Sequence, residues 1–546
     1  MIKKFLFYNH QYFYLILISL FFHLLAAYFS QGFYEQDEHF SILEPISFKF
    51  GNDATLGWDF FFNYDKQWFL SFLYFYLIKF LEIISINNPF QWAFVIRLSS
   101  SILGWLSIIC LIHFTIKYLS NDKLIKPLFL ISSFFWFYPY IHARAASENL
   151  SIIFLIFAIT LFSFLRDKKY ILLLCGIFFG LSFSIRFTNI FILGFFGLWA
   201  IFFRKVSIID SLILISSFLF IFFLSILIDF WGYGVLFPNS SIVALNYFNL
   251  NAEWAKTGYF STGTEAWWYN FYFIIKEFLP PLSIIVLISI IVFWIISPKH
   301  MVTWMTLPYF VFLCTLPHKE TRFLFPILMF SPFFIVMAVD GLYKFKLSIF
   351  NILSFRISKF ILYSLIFINI IALFILSFTP ANNSTLLYKY LYKNEKNIEK
   401  IYTLEKIPYR KSDLLINFYR NKNIYFTKIT TEDECKKIGN EIMTVNDKIV
   451  DNYNVETKIS EIQKFSYPKW VFDYSVICNL DNFFDNISLN EKSYFLINKF
   501  EYTKNFINSN DMNCKRIFTT IPRWIFTLNL TKVYKNISSW HLFECN

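Results

Sequence analysis

The sequence predicts an α-helical polytopic membrane protein of about eleven spanning helices, followed by a soluble mixed α/β domain. Three observations carry this. Apolar runs of about 18 residues or more recur from about residue 12 to about residue 379, the length needed to cross a bilayer. The composition is 57% hydrophobic and 23% aromatic, with only 16% charged residues and a mean hydropathy of +0.50. After "SFTPANNS" (377–384) the composition turns mixed, and no later run is long enough to span.

The expected spans lie near residues 12–30, 93–118, 124–141, 148–165, 170–187, 189–203, 209–229, 278–297, 302–317, 322–341 and 358–379. A soluble helical core would need polar faces at helical spacing, and stretches such as "FILGFFGLWAIFF" have none. "MIKKFLFYNH" ahead of the first run reads as a retained signal anchor with a cytosolic N-terminus. Basic residues at 166–169, 204–205, 298–300 and 344–359, with Lys117, Lys123 and Lys126, then fall on the cytosolic side. That bookkeeping closes at eleven crossings if the apolar run 68–85, or one of its neighbours, does not cross.

Two domains follow: a multispanning domain, 1–379, and a soluble domain, 380–546, of about the length one small domain needs. The loops 31–67 and 230–277, the link 142–147, the polar cluster near 318 and the soluble domain all fall on the non-cytosolic side. Segments such as "NIYFTKI", "WVFDYSVI" and "RWIFTLNL" alternate as strands do. Cys435, Cys478, Cys514 and Cys545 lie in this domain and permit two disulfides in an oxidising compartment. The net charge of +12 is explained by positive-inside loops and gives no reason to expect nucleic acid.

The polar features along these loops are few. "YEQDEHFSILEPISFKF" places Glu35, Asp37, Glu38 and Glu44 just past the first span. Asp37 is expected to cap a short helix that Pro45 stops near Glu44. The carboxylates read either as a cap with solvated charge or as a general base at the membrane face. "LPHKETRFLFPI" (316–327) puts His318, Lys319, Glu320 and Arg322 between apolar helices. It reads either as a helix-end motif with snorkelling cations or as an anion site for a phosphate head group. Arg144 and Glu148 are spaced to pair on one helix face, and Arg186 interrupts another apolar stretch. Trp267, Trp268 and Tyr269 form either an interfacial belt or a sugar-stacking wall.

Together these segments resemble the family 22 glycosyltransferases of the GT-C class, over roughly residues 12–340. "PHKETRFLFP" is similar to the family's His-Lys-Glu-x-Arg-Phe signature, "DEHFSILEPISFKFG…GWDF" resembles its first luminal loop, and "GTEAWWY" its Gly-Thr-Glu-Pro-Trp element. Ser47, Asp59 and Ala266 depart from the family pattern. The resemblance implies a mannosyltransferase that moves mannose from a polyprenyl (dolichyl) phosphate donor to a lipid-linked glycan acceptor by inverting displacement. It leans toward the α-1,2-mannosyltransferases of N-glycan precursor assembly, with enzymes of glycosylphosphatidylinositol-anchor or bacterial glycolipid assembly next.

By that resemblance Asp37 is the base and Glu38 its alternative. His318, Lys319, Arg322 and Arg186 hold the donor phosphate, while Glu44, Glu320, Arg144, Glu265 and Trp267 orient groups or substrate. No metal or cofactor is expected: the lipid-phosphate sugar is a substrate, its monophosphate asks for less charge than a nucleotide diphosphate, and no D-x-D motif occurs. The expected location is a multi-pass position in the endoplasmic reticulum of a eukaryote or the plasma (inner) membrane of a bacterium. A transporter of an anionic lipid or metabolite is the rival from another class. It predicts charges near the span midplane and repeated halves, whereas here the charges sit at span ends.

Overall fold

The computed structural model describes residues 10–57, 60, 66–165, 168–236, 265–344, 355–394, 397–403, 406–411, 414–420, 423–429, 474–477, 492–498, 514–521 and 539–545. The chain divides into two compact units. One comprises residues 1–30, 62–80 and 93–379, and the other residues 31–61, 81–92 and 380–546. The N-terminal decamer up to residue 9, "RWIFTLNL", Cys435, Cys478, Asp59 and loop residues 237–264 lie outside the described residues.

The first unit is helical, as long Leu-, Ile- and Phe-rich runs require where the backbone must satisfy its own hydrogen bonds. Among the described residues, four helical runs are long and apolar enough to cross a membrane: Pro89–Tyr118, Ser147–Phe164, Ile208–Tyr233 and Lys359–Lys393. The pairs Leu282–Ile296 with Met301–Thr315, bent by 118°, and Thr321–Leu328 with Ser331–Lys344, bent by 51°, bring this to six if each pair is one crossing. Phe13–Phe29, Lys169–Ile185 and Phe187–Phe202 are shorter apolar helices. Ser207 opens the long helix Ile208–Tyr233 by accepting from the Asp210 amide, and Gly234 closes it in the left-handed conformation at φ 73°.

The span expected at 124–141 is broken. Helix Ile125–Ser133 ends, and a separate short helix, Tyr138–His142, begins with Pro139 in its first turn. The break is capped from a distance: Asn369 Nδ2 donates to the Phe134 carbonyl at 2.7 Å, and its Oδ1 accepts from the Trp136 amide at 3.2 Å. One amide side chain thus replaces the helix bonds that the interruption removes.

The second unit has a six-stranded sheet in the order β5-β4-β1-β6-β8-β7. The strands are β1 Lys400–Thr403, β4 Tyr425–Ile429, β5 Tyr474–Ile477, β6 Ser493–Ile497, β7 Cys514–Thr519 and β8 His541–Cys545, and a small hairpin joins β2 Arg410–Lys411 to β3 Leu414–Leu415. β5, β4, β1 and β6 run parallel, and β8 pairs antiparallel with both β6 and β7. The alternating segments around 425–429 and 474–477 are therefore strands. Ile429, Phe495, Ile497 and Phe543 form its core with Cys545, which is disulfide-bonded to Cys514 directly across β7 and β8.

Residues 31–57 belong to this unit and are built into it. The Gln31 carbonyl accepts from the amides of Ala381 and Asn382, and Gly32, at φ 89°, sits where a Cβ would strike Thr385 and Asn382. Pro45 does not stop the helix there. Gln36–Glu38 passes into a π-turn, His39–Leu43, and then into an α-helix, Glu44–Lys49, that carries Pro45 in its first turn. The wider π-turn moves the bonding register by one residue, with the Glu44 amide donating to the His39 carbonyl. Pro45, which has no N–H to give, is thereby accommodated.

His541 on β8 is fully buried beside Ser539, and burial, followed by the charge of Arg516, lowers its pKa to about 4. The unfolded chain takes up this proton near the ordinary value of about 6.5, so between those values it binds more protons than the folded unit. The stability contributed by neutral His541 is therefore complete above about pH 6.5 and is lost toward pH 4, by up to about 3 kcal/mol. Protection factors of the β8 amides, which are corrected for the intrinsic slowing of exchange at lower pH, should fall between pH 7 and 5, and His541→Gln should flatten that dependence.

Candidate active site

A cluster of charged groups lies where four helical elements of the first unit end together. Glu148 is in the first turn of the helix Ser147–Leu165, where the helix dipole favours a carboxylate. Arg186 is the extended cap residue after the helix Lys169–Ile185. His318 and Glu320 lie in the link after the helix Met301–Thr315, and Arg322 lies in the short 3-10 turn Thr321–Leu324.

Two guanidiniums meet on one buried carboxylate. Glu148 Oε1 accepts from Arg186 Nη1 at 2.6 Å and lies 3.5 Å from Arg322 Nε, and its other oxygen accepts from Ser147 Oγ at 3.1 Å. Arg322 Nε also bonds Glu320 Oε2, and His318 Nε2 lies 3.0 Å from Glu320 Oε1. Both guanidiniums pack on the Phe323 ring, at 5.3 and 5.7 Å from its centroid. Tyr309 fixes that segment by donating to the Phe323 carbonyl at 3.2 Å. The hydrogen bond with Glu320 raises the His318 pKa above its ordinary value, against the opposing pull of burial. The set is thus two guanidiniums and a readily protonated imidazole held by two carboxylates, an arrangement suited to gripping an anion with planar, multidentate donors.

Lys319 faces a different partner. Its ammonium donates to the carbonyls of Leu316 and of Glu265 (3.2 Å), and its backbone amide donates to Glu265 Oε2 at 3.1 Å. The Glu265 amide returns a bond to the Pro317 carbonyl at 3.0 Å. Lys319 and Glu265 therefore pin the "GTEAWWY" segment to the "LPHKETRF" segment, and burial lowers the Lys319 pKa. Trp267 beside them is 66% exposed, and Trp268 is also exposed.

Arg144 and Glu148 do not share a helix face as expected, because the helix starts only at Ser147 and Arg144 lies in the link before it. Arg144 is buried, donates from Nη2 to the carbonyl and the hydroxyl (2.7 Å) of Ser30, and packs on Tyr140. Ser30 closes the helix Phe13–Phe29, so the guanidinium caps a helix C-terminus.

Asp37, Glu38 and Glu44 belong to the second unit. Asp37 is half-buried, while Glu38 is buried with Oε2 on the Tyr34 amide at 3.0 Å. Glu44 is fully buried. Its Oε1 accepts from His39 Nε2 (2.9 Å) and from the amides of Asn417 (2.6 Å) and Phe418 (3.0 Å), and its Oε2 accepts from the Thr55 amide (2.8 Å). Sequence reasoning left Glu148, Tyr309 and Phe323 off the site; only the position of Glu148 at a helix start hinted at its role.

The first unit thus carries helices long and apolar enough to cross a membrane with a cationic cluster at their ends, and the second is a mixed α/β unit. The ArnT of Cupriavidus metallidurans bound to undecaprenyl phosphate shares the fold, with a TM-score of 0.51 and 8% identity over 98% of each chain. An oligosaccharyltransferase of Archaeoglobus fulgidus aligns at a TM-score of 0.43 and 11% identity, over 71% of this chain and 57% of that one. No curated protein sequence matches the chain. The model of the Alg9-like mannosyltransferase family matches residues 14–410, and the chain belongs to that family. It is a multi-pass membrane glycosyltransferase.

Proposed function

We propose that the protein transfers mannose from a polyprenyl (dolichyl) phosphate donor to a lipid-linked glycan. The observation that carries this reading is the pair Arg186 and Arg322, stacked on Phe323 and anchored by Glu148. Paired guanidiniums suit the phosphate of a lipid carrier, which leaves as the sugar is transferred. The ArnT relative in fold carries undecaprenyl phosphate, a ligand of this chemical class. In one inverting displacement, Asp37 takes the proton of the acceptor hydroxyl as its oxygen attacks the anomeric carbon. The bond from that carbon to the phosphate oxygen breaks, and the lipid phosphate departs with the electron pair. Arg186, Arg322 and His318 stabilise that charge, and Glu265, pinned by Lys319, positions the loop bearing Trp267.

The eleven-crossing reading of the sequence would put residues 380–546 on the non-cytosolic side, and the Cys514–Cys545 disulfide supports that reading. That side is the lumen of the endoplasmic reticulum in a eukaryote or the exterior of the plasma membrane in a bacterium.

The test is incubation of membranes containing the protein with radiolabelled polyprenyl-phosphate mannose and candidate lipid-linked glycans, followed by determination of the product linkage. Transfer from a carrier of another sugar, with none from the mannose carrier, would overturn the donor assignment. Uptake of label without a new glycosidic bond would favour a transporter. Arg322→Ala should lower kcat/KM for the donor roughly a hundredfold, and unchanged donor kinetics would remove Arg322 from the phosphate site.

A further inference from the structure

Two carboxylates share the Arg322 guanidinium, and their surroundings differ. Glu148 has a side chain only 2% exposed and is held by Arg186 and Ser147 as well. Glu320 is 27% exposed and stands on an extended residue (φ −133°, ψ 147°) ahead of the 3-10 turn, outside any helix. One Glu320 oxygen meets Arg322 Nε and the other meets His318 Nε2 at 3.0 Å. Two oxygens of a single anionic group thus occupy two donors, much as two oxygens of a phosphate would. A phosphate needing those donors displaces Glu320 more readily than Glu148, because Glu148 is the more deeply buried of the two and also holds Arg186 and accepts from Ser147.

We infer that Glu320 is an exchangeable carboxylate. It holds Arg322 and His318 in place while no donor is bound, yields them to the donor phosphate, and returns to them as the lipid phosphate product leaves. This rests on the reading of the cluster as the donor-phosphate site. Glu320 is then a positioning residue for product release. It keeps the cations ordered between turnovers, and it prevents the departing lipid phosphate from remaining as a tight inhibitor.

The test compares wild type, Glu320→Gln and Arg322→Ala, each purified in detergent, for binding of farnesyl phosphate as a short polyprenyl monophosphate. Glutamine keeps the shape and an acceptor but loses the charge, so it competes less well for the guanidinium. Glu320→Gln should bind the lipid phosphate about tenfold more tightly, equivalent to about 1.4 kcal/mol. In turnover its donor KM and its kcat should both fall, and a burst of product should precede a slow steady state. A purely structural role predicts weaker binding and no burst. Equal or weaker binding by Glu320→Gln, with binding weakened in Arg322→Ala and thermal unfolding midpoints matching wild type, overturns the exchange. If wild type does not bind the phosphate, or Arg322→Ala binds it equally well, the phosphate-site reading fails and the exchange fails with it.

Discussion

Asp37→Asn is expected to lower kcat by about 10²–10⁴-fold with little change in donor KM, the range lost when a general base is removed. The substitution keeps size and shape and removes the charge and basicity of the carboxylate, so donor binding at the cationic cluster should persist. Glu38→Gln serves as the control. Glu38 is buried and one of its oxygens already accepts from the Tyr34 amide, a structural duty that glutamine can partly perform. Its turnover should fall much less than that of Asp37→Asn. Retention of wild-type turnover by both variants in sugar-transfer assays would remove this loop from the chemistry.

Glu44→Ala is expected to give the largest loss of stability, about 3–5 kcal/mol, as is usual when one partner of a buried charged network is deleted. The carboxylate is fully buried and gathers His39 Nε2 and three backbone amides. Glu44→Gln should rescue little. With its carbonyl toward His39, Asn417 and Phe418, its amino group would face the Thr55 amide, donor against donor. Hydrogen exchange would read the outcome directly: the amides of Thr55, Asn417 and Phe418 should lose protection together. Preserved protection at all three would show that the network holds without the carboxylate.

Most helices of the first unit were legible in the sequence because run length and apolarity dominate where backbone groups must pair among themselves. The break after Ser133 was not, since Asn369, which caps it, lies 233 residues from Trp136. The cations of "HKETRF" stood out as charges in apolar sequence, yet Glu148 comes from a helix start 38 residues before Arg186. Lys319 resembles its neighbours by charge alone, yet in the fold its ammonium is turned onto carbonyls. Glu44 was the least legible, because most of its partners are backbone amides and those have no letter in the sequence. Pro45 misled for a related reason: its cost depends on the helix register, which a π-turn resets.

The Glu44 network has a consequence for ancestry. Asn417 and Glu44 are 373 residues apart, yet one hydrogen bond joins them within a single folded unit. The tail beyond Pro380 is therefore no detachable module riding on a membrane enzyme. It is the mould in which the Asp37 loop sets. A lineage that exchanged this tail for another would inherit every signature motif intact and still need to re-invent the loop's conformation. Divergence of tail and loop should accordingly proceed in step, while the helices between them drift at their own pace.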